Sequence, residues 1–373
     1  MRKSYVRLLL LLIVLLMVIS WSKGTRMEIA AFIEDQERYI REKDMVRYLE
    51  NISKENDEYM AEKISWLRDI LYYDIEDYQV EVNKVKRVGL NKVQAQILQS
   101  YNYQGRQYET QLPLLLVKER GKWKDGDLNF KELSTEHFTI KYFKPSKKYA
   151  ELIKSVCEDA KTNIESRYGK GIDEHTTVKI YQDLETLRQS VKLSFQWQFA
   201  GWYEYPESIK TSEYGSRESY QRILEHELVH KLTIKESNNN MPYWFTEGLA
   251  VYYSNHYNDP YPIKTKELYI REYHNEPLDI LKLEKTNLEM LEDSKTISAY
   301  YDSAGMIVKF LVDAFGEEKI KEIVSSLGDF PYQEGTGAEV DREAQKRFHS
   351  ILPKVLGMDV IQLNEAWNQY ISK

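Results

Sequence analysis

The stretch LEHELVHKL (224–232) constrains the fold of this chain more than any other part of its sequence. Its two histidines stand four positions apart, so on a helix His226 and His230 lie on one face, one turn from each other, and can point at a common site. Glu227 follows His226 directly and can reach the same site. Two imidazoles beside a carboxylate suit a zinc ion that keeps one coordination position open. The stretch therefore predicts a helix that carries part of a zinc site.

A third ligand is expected from the next helix. Glu247 follows His230 by seventeen residues, within MPYWFTEGLAVYY (241–253). The intervening KESNNN is polar and turn-forming, and Pro242 suits the first turn of a new helix, so the chain can reverse there. The neighbours of Glu247 are apolar, and a buried carboxylate requires a cation. We expect one Zn²⁺ per chain, held by His226, His230 and Glu247.

The rest of this region is predicted to be a small sheet followed by helices. HFTIKYF (137–143) and TTVKIYQ (176–182) alternate as strands do, and AGWYEYPESIK (200–210) is a third candidate strand. Everything after Arg217 is predominantly helical in period. Together with the N-terminal region described below, this predicts an α+β chain of two domains, with the second domain spanning residues 135–373.

HExxH followed by WxxEGxA resembles the gluzincin metallopeptidases, in particular the bacterial peptidase MA-like branch related to the aminopeptidase and thermolysin groups. The similarity covers about residues 135–373 and continues in AYYDSAGMIVKFLVDAFGEEKI (299–320). It implies a thermolysin-like domain that hydrolyses peptide bonds, with Glu227 as the general base. It also implies that a tyrosine of the last segment donates a hydrogen bond to the oxyanion; Tyr301 fits that position better, and Tyr300 is the alternative.

The chain departs from these relatives at three places. No GxMEN-like segment, which in aminopeptidase relatives helps hold a free N-terminus, is visible; residues 199–210 take its place, so we expect an endopeptidase rather than an aminopeptidase. Val251 stands where thermolysin-like relatives carry a carboxylate that orients a zinc-bound histidine. His256 is predicted to be a surface histidine, because a further ligand would close the open coordination position.

Residues 25–130 are predicted to form the first domain. Up to about residue 74 the apolar positions recur at helical spacing, which fits two or three amphipathic helices. From Tyr78 the period changes to two, and glycines punctuate the turns of an antiparallel meander. Helices followed by three or four curved strands resemble the NTF2-like family of small α+β cones. Domains of that kind bind ligands, mediate contacts with a partner or space a neighbouring domain.

Residues 1–22 have the pattern of an export signal. Three basic residues precede an apolar run from Leu8 to Ile19, which is shorter than the about 20 residues that span a bilayer. We expect a cleaved signal peptide; the alternative is a signal anchor that attaches the protein to the membrane through residues 8–21. Both place the protein outside the cytoplasm, either secreted or on the outer face of the cytoplasmic membrane.

The charge and the cysteine content of the chain argue against a nucleic-acid partner and against an internal disulfide. The net charge is −7 and no basic block is present, so we expect no nucleic-acid partner. The single cysteine, Cys157, permits no internal disulfide and is predicted to be buried. The expected partner is a peptide or protein substrate. The alternative to a peptidase is a zinc-containing protein without turnover that serves in binding or in envelope assembly.

Overall fold

The computed structural model describes residues 24–372 except 214, 255–264, 274–276 and 336. The described residues form two compact units, one ending at Asn129 and the other beginning at Phe130. The predicted signal segment 1–22, its membrane-attaching run and His256 lie outside the described residues. Within the described part of the chain, no helix has the length and apolar character needed to cross a membrane.

The first unit begins with helices. They are α1 (24–41), α2 (Met45–Glu50) and α3 (Asp57–Tyr72). The side chains of Asp44 and Asn56 cap α2 and α3 by accepting hydrogen bonds from backbone N–H groups in the first turn of each helix. The apolar face of α3 is buried through Trp66, Leu67 and Ile70, as its helical spacing predicts.

The sheet of the first unit is the predicted antiparallel meander. Its strands are β1 (Glu76–Gly89), β2 (Lys92–Tyr103), β3 (Arg106–Glu119) and β4 (Lys122–Leu128), hydrogen-bonded in that order. Every second residue of β2 is buried, which is the alternation its sequence shows. The turn between β2 and β3 has positive φ at both Gln104 and Gly105, which suits a two-residue hairpin.

The second unit contains a mixed sheet. Its strands are β5 (Lys131–Ser134), β6 (Phe138–Tyr142), β7 (Thr176–Tyr181), β8 (Gly201–Trp202) and β9 (Ile209–Ser212), in the order β5-β6-β7-β9-β8. The central strands β6, β7 and β9 are parallel, whereas β5 and β8 are antiparallel to their neighbours at the two edges. The single strand predicted within residues 200–210 is therefore two short strands joined by a loop.

Helices make up the rest of the second unit. Between strands lie the 3₁₀ turn Lys144–Ser146, α4 (Lys147–Lys154), α5 (Cys157–Tyr168) and α6 (Leu184–Val191). After the sheet come α7 (Arg217–Glu236), α8 (Tyr243–Tyr253), α9 (Lys266–Tyr273), α10 (Ile280–Leu283), a 3₁₀ turn (Leu288–Met290), α11 (Ser294–Phe315), α12 (Glu317–Leu327), α13 (Ala338–Val355) and α14 (Val360–Ser372). Cys157 is buried, as predicted.

Glycines bring α8 and α11 close together. A Cβ atom on Gly248 would stand 2.6 Å from the backbone oxygen of Ala304, a distance that real contacts do not reach. A Cβ atom on Gly305 would overlap the side chain of Val251 on α8. This close packing fixes α11, which carries Tyr300 and Tyr301, against the helix that carries Glu247.

Candidate metal centre

The helix α7 holds both histidines of the predicted site. Its start is capped by Ser216, whose hydroxyl accepts a hydrogen bond from the backbone N–H of Ser219. His226 and His230 lie one turn apart, with ring centroids 4.8 Å apart and nearly perpendicular ring planes. Their Nε2 atoms are 3.2 Å from each other. The two imidazoles thus point at one place, as the spacing of four predicts.

A tight reversal returns the chain to this place. Asn238 and Asn239 adopt left-handed backbone angles, with φ of 50° and 57°, which asparagine tolerates better than most residues. The helix α8 then begins beside Pro242 and presents Glu247 to the histidines. Glu247 Oε2 lies 3.2 Å from His226 Nε2 and 3.6 Å from His230 Nε2. The structure therefore brings together all three predicted ligands.

The spacing of these three atoms fits a zinc ion. Ligands at the usual zinc distances of about 2.0–2.1 Å, arranged tetrahedrally, stand about 3.3 Å from one another. The separations in this site are 3.2, 3.2 and 3.6 Å. Two imidazole nitrogens and one carboxylate oxygen are also ligands that zinc prefers. No other group of three His, Cys, Asp or Glu side chains in the described residues has a comparable arrangement.

The electrostatics of the site favour an ionised Glu247. The side chains of Glu247 and His230 are 9% and 6% exposed. Burial opposes ionisation of Glu247, but the charge of His230 and hydrogen bonds from both histidines outweigh it and hold the pKa of Glu247 at about 2. The group is therefore an anion at neutral pH, as a metal ligand must be.

Glu227 lies beside the three ligands and is almost completely buried. Burial raises the pKa of its carboxyl to about 8, and the neighbouring Glu247 adds to this effect, whereas His226 and Lys210 oppose it. Its position depends on β8, because a Cβ atom on Gly201 would overlap its Oε1 atom. A glycine in the edge strand thus leaves the space that this carboxyl occupies.

The two tyrosines of α11 differ in their position. Tyr301 lines the same cleft as the histidines, and its ring centroid is 6.3 Å from that of His226. Tyr300 is buried and does not line the cleft. Burial, with the charges of Glu247 and Glu227 nearby, raises the pKa of Tyr301 well above its usual value, so its hydroxyl stays protonated and able to donate. Tyr301 is therefore the better placed of the two.

The three ligands line an open cleft. Part of its lining is an aromatic wall that consists of Trp197 and Phe199, which precede β8, and Trp202 of β8 itself. Phe199 and Trp202 pack on each other with ring centroids 4.9 Å apart. Asn239 and Val340 also line the cleft. A cleft lined by aromatic side chains and a few polar groups is typical of a site that binds a ligand.

Sequence reasoning missed the aromatic wall, Gly201 and Glu204, all of which border the cleft. The signal was the aromatic content of FQWQFAGWYEY (195–205), in which six of eleven residues are Phe, Trp or Tyr. Val251 has an apolar side chain that packs against Gly305, so it cannot orient a zinc-bound histidine through a hydrogen bond. His230 Nδ1 is buried and has no hydrogen-bond partner among the described residues.

The chain matches no protein-family model, and no curated protein gives a match either.

Proposed function

We propose that this protein is a zinc-dependent peptidase whose metal is held by His226, His230 and Glu247. The observation that carries the proposal is the convergence of these three atoms at zinc-like separations, on the floor of a cleft that also contains a buried glutamate and a tyrosine. HExxH on one helix and WxxEGxA on the next support assignment to the gluzincin metallopeptidases, with a thermolysin-like second unit. The helices and meander of the first unit support an NTF2-like domain.

The residues of the chain divide the chemistry between them. A zinc ion at this site would act as a Lewis acid that polarises the scissile carbonyl and lowers the pKa of a water to about 7. Glu227 takes the proton of the attacking water and passes it to the leaving amine. Its burial beside the ligands and its place in the cleft suit a group that accepts a proton and then releases it. The Tyr301 hydroxyl donates a hydrogen bond to the oxygen on which negative charge develops.

The substrate is proposed to be a peptide that lies along β8. This strand is at the edge of its sheet, and an extended peptide can pair with such an edge by strand addition. We also propose that the enzyme is an endopeptidase rather than an aminopeptidase, and that it acts outside the cytoplasm.

The proposed function is tested by turnover of a mixed peptide library with wild type and Glu227→Gln. Glutamine keeps the shape of the side chain but cannot take a proton, so zinc and fold are retained while the rate falls by about 10²- to 10⁴-fold. Glu218→Gln, an exposed glutamate at the start of α7, is the matched control and should keep full turnover. Near-normal turnover in zinc-loaded Glu227→Gln would contradict the mechanism. No turnover by wild type on any peptide would favour a zinc protein of the binding or envelope-assembly kind.

A further inference from the structure

A group of buried charges lies around the loop that joins β8 to β9. Lys192 Nζ is 2.9 Å from Glu289 Oε1, and both side chains are almost completely buried. Lys210 forms a second buried ion pair with Glu207. Each lysine of the group therefore has a carboxylate partner, which is what burial of a charge requires.

Glu204 is the third glutamate of this group, and within the described part of the chain it forms no ion pair of this kind with Lys192 or Lys210. It lines the cleft although it is only 9% exposed. Its Oε1 atom is buried and makes no hydrogen bond with any residue that the structure describes. Burial raises the pKa of Glu204 well above its usual value, and Glu207 adds to this, while Lys192 and Lys210 oppose it. Such a carboxyl is costly to bury unless a ligand supplies the missing donor.

The surroundings of Glu204 indicate what that ligand is. Trp202, Tyr203 and Tyr205 flank it in sequence and line the same cleft. Aromatic faces pack well against the methylene stem of a long cationic side chain and attract its charged end. A group that reaches a carboxyl with so little exposure must be narrow and must carry its charge at the tip. Lysine and arginine side chains have this form.

We propose that Glu204 binds the ammonium or guanidinium group of a lysine or arginine side chain in the substrate, and so sets the specificity of the cleft. The proposal rests on the proposed function in one respect: the ligand is taken to be part of a peptide. The α-amino group at the end of a chain has the same chemistry. It lacks the long apolar stem, and its binding is a distinct outcome of the test.

The test compares lysine with norleucine, which keeps the four-carbon stem and lacks the charge. Starting from a peptide that wild type cleaves, lysine or norleucine is placed at each of three positions on either side of the cleaved bond, with the N-terminus free or acetylated. At one position we expect kcat/KM to be about 10- to 100-fold higher for lysine, because a carboxyl built to receive a donor discriminates against a ligand without one. Acetylation should leave this ratio unchanged.

In Glu204→Gln the ratio should fall to near one, whereas the exposed Glu174→Gln should preserve it. A ratio near one at every position in wild type would overturn the proposal without any variant. A dependence on the free N-terminus with no difference between lysine and norleucine would assign Glu204 to the α-amino group and would also overturn it.

A binding measurement separates this proposal from the proposed function. Zinc-loaded Glu227→Gln is titrated calorimetrically with the lysine and norleucine peptides, and the lysine peptide should bind about tenfold more tightly or better. If wild type cleaves no peptide but this difference is found, the peptidase proposal fails and the Glu204 site stands. Equal affinities would contradict the Glu204 site whether or not wild type cleaves peptides.

Discussion

Buried acidic side chains in the two units of this protein differ in the partners that surround them. In the first unit, Asp125 is buried but receives hydrogen bonds from the Tyr59 hydroxyl at 2.9 Å and from the Asp127 backbone N–H at 3.1 Å. In the cleft of the second unit, Glu247 faces two histidine nitrogens, and the Oε1 atom of Glu204 has no hydrogen-bond partner among the described residues. Asp125 and Glu247 thus have partners within their own units, whereas the Glu204 Oε1 atom has none among the described residues.

This difference indicates which of the two units binds a metal and a substrate. A buried polar group without a partner costs free energy, so it persists where a ligand, metal or substrate repays that cost. In the cleft, Glu204 Oε1 is such a group. The polar interior of the first unit needs no ligand to explain Asp125. We therefore expect metal and substrate to act on the second unit and to leave the stability of the first unchanged.

The largest expected effect is that of zinc removal on the two units. Chelation should abolish turnover and lower the melting temperature of the second unit, since a ligand at about 1,000 times its Kd stabilises by about 4 kcal/mol, or roughly 10 °C for a unit of this size. Calorimetry of the full chain with and without chelator measures both transitions. A fragment of residues 24–129 should melt cooperatively and at the same temperature in either condition. If chelator lowered the melting temperature of that fragment, the expected contrast between the two units would be wrong.

The next effect concerns the two neighbouring tyrosines of α11. Tyr301→Phe removes the hydroxyl that faces the cleft, and we expect kcat to fall by about 10- to 1000-fold, less than for the general base because the metal still polarises the carbonyl. Tyr300→Phe is the matched control and should change kcat much less, since Tyr300 does not line the cleft. Steady-state kinetics on the same zinc-loaded preparations gives both values. A larger loss for Tyr300→Phe would reverse the assignment.

The smallest effect concerns Asp125 and does not involve turnover. Burial raises its pKa from 3.8 to about 6. Because the folded state holds this proton more tightly than the unfolded state, the contribution of Asp125 to stability is lost as pH rises from about 4 to about 6, by up to about 3 kcal/mol. Asp125→Asn cannot lose a proton, so its stability relative to wild type should improve over that interval. Urea unfolding of the 24–129 fragment at several pH values measures the difference, with the exposed Glu109→Gln as control. A difference independent of pH would contradict the account of Asp125.

Regular periodicity explains which parts of the fold could be predicted. The alternation in β2 and the helical spacing in α3 each extend over many residues, so the pattern alone predicts the element. The two residues of β8 show no period, and the four of β5 show little, so these edge strands were not resolved from sequence. These short strands form because the backbone of a neighbouring strand supplies their hydrogen-bond partners. That neighbour is in place only in the folded sheet, so the local sequence does not reveal it.

The same distinction applies to the candidate site. The spacing of His226 and His230 within one helix is fixed by helix geometry, and the short reversal at Asn238 and Asn239 keeps Glu247 nearby. The contact of Gly201 with Glu227 joins segments whose approach depends on the whole sheet. The position of Glu204 in the cleft likewise follows from the loop after β8. Local geometry could be deduced from the sequence, whereas these long-range contacts could not.

Zinc content of matched variants tests the central claim most directly. Elemental analysis of purified protein should give one zinc per chain for wild type and for Glu227→Gln. His226→Ala, His230→Ala and Glu247→Ala should each lose most of the metal while circular dichroism still reports folded protein. Glu247→Ala is the decisive variant, because Glu247 reaches the site from a second helix. Full zinc retention in folded Glu247→Ala would contradict the account, and so would a wild-type protein that binds no zinc.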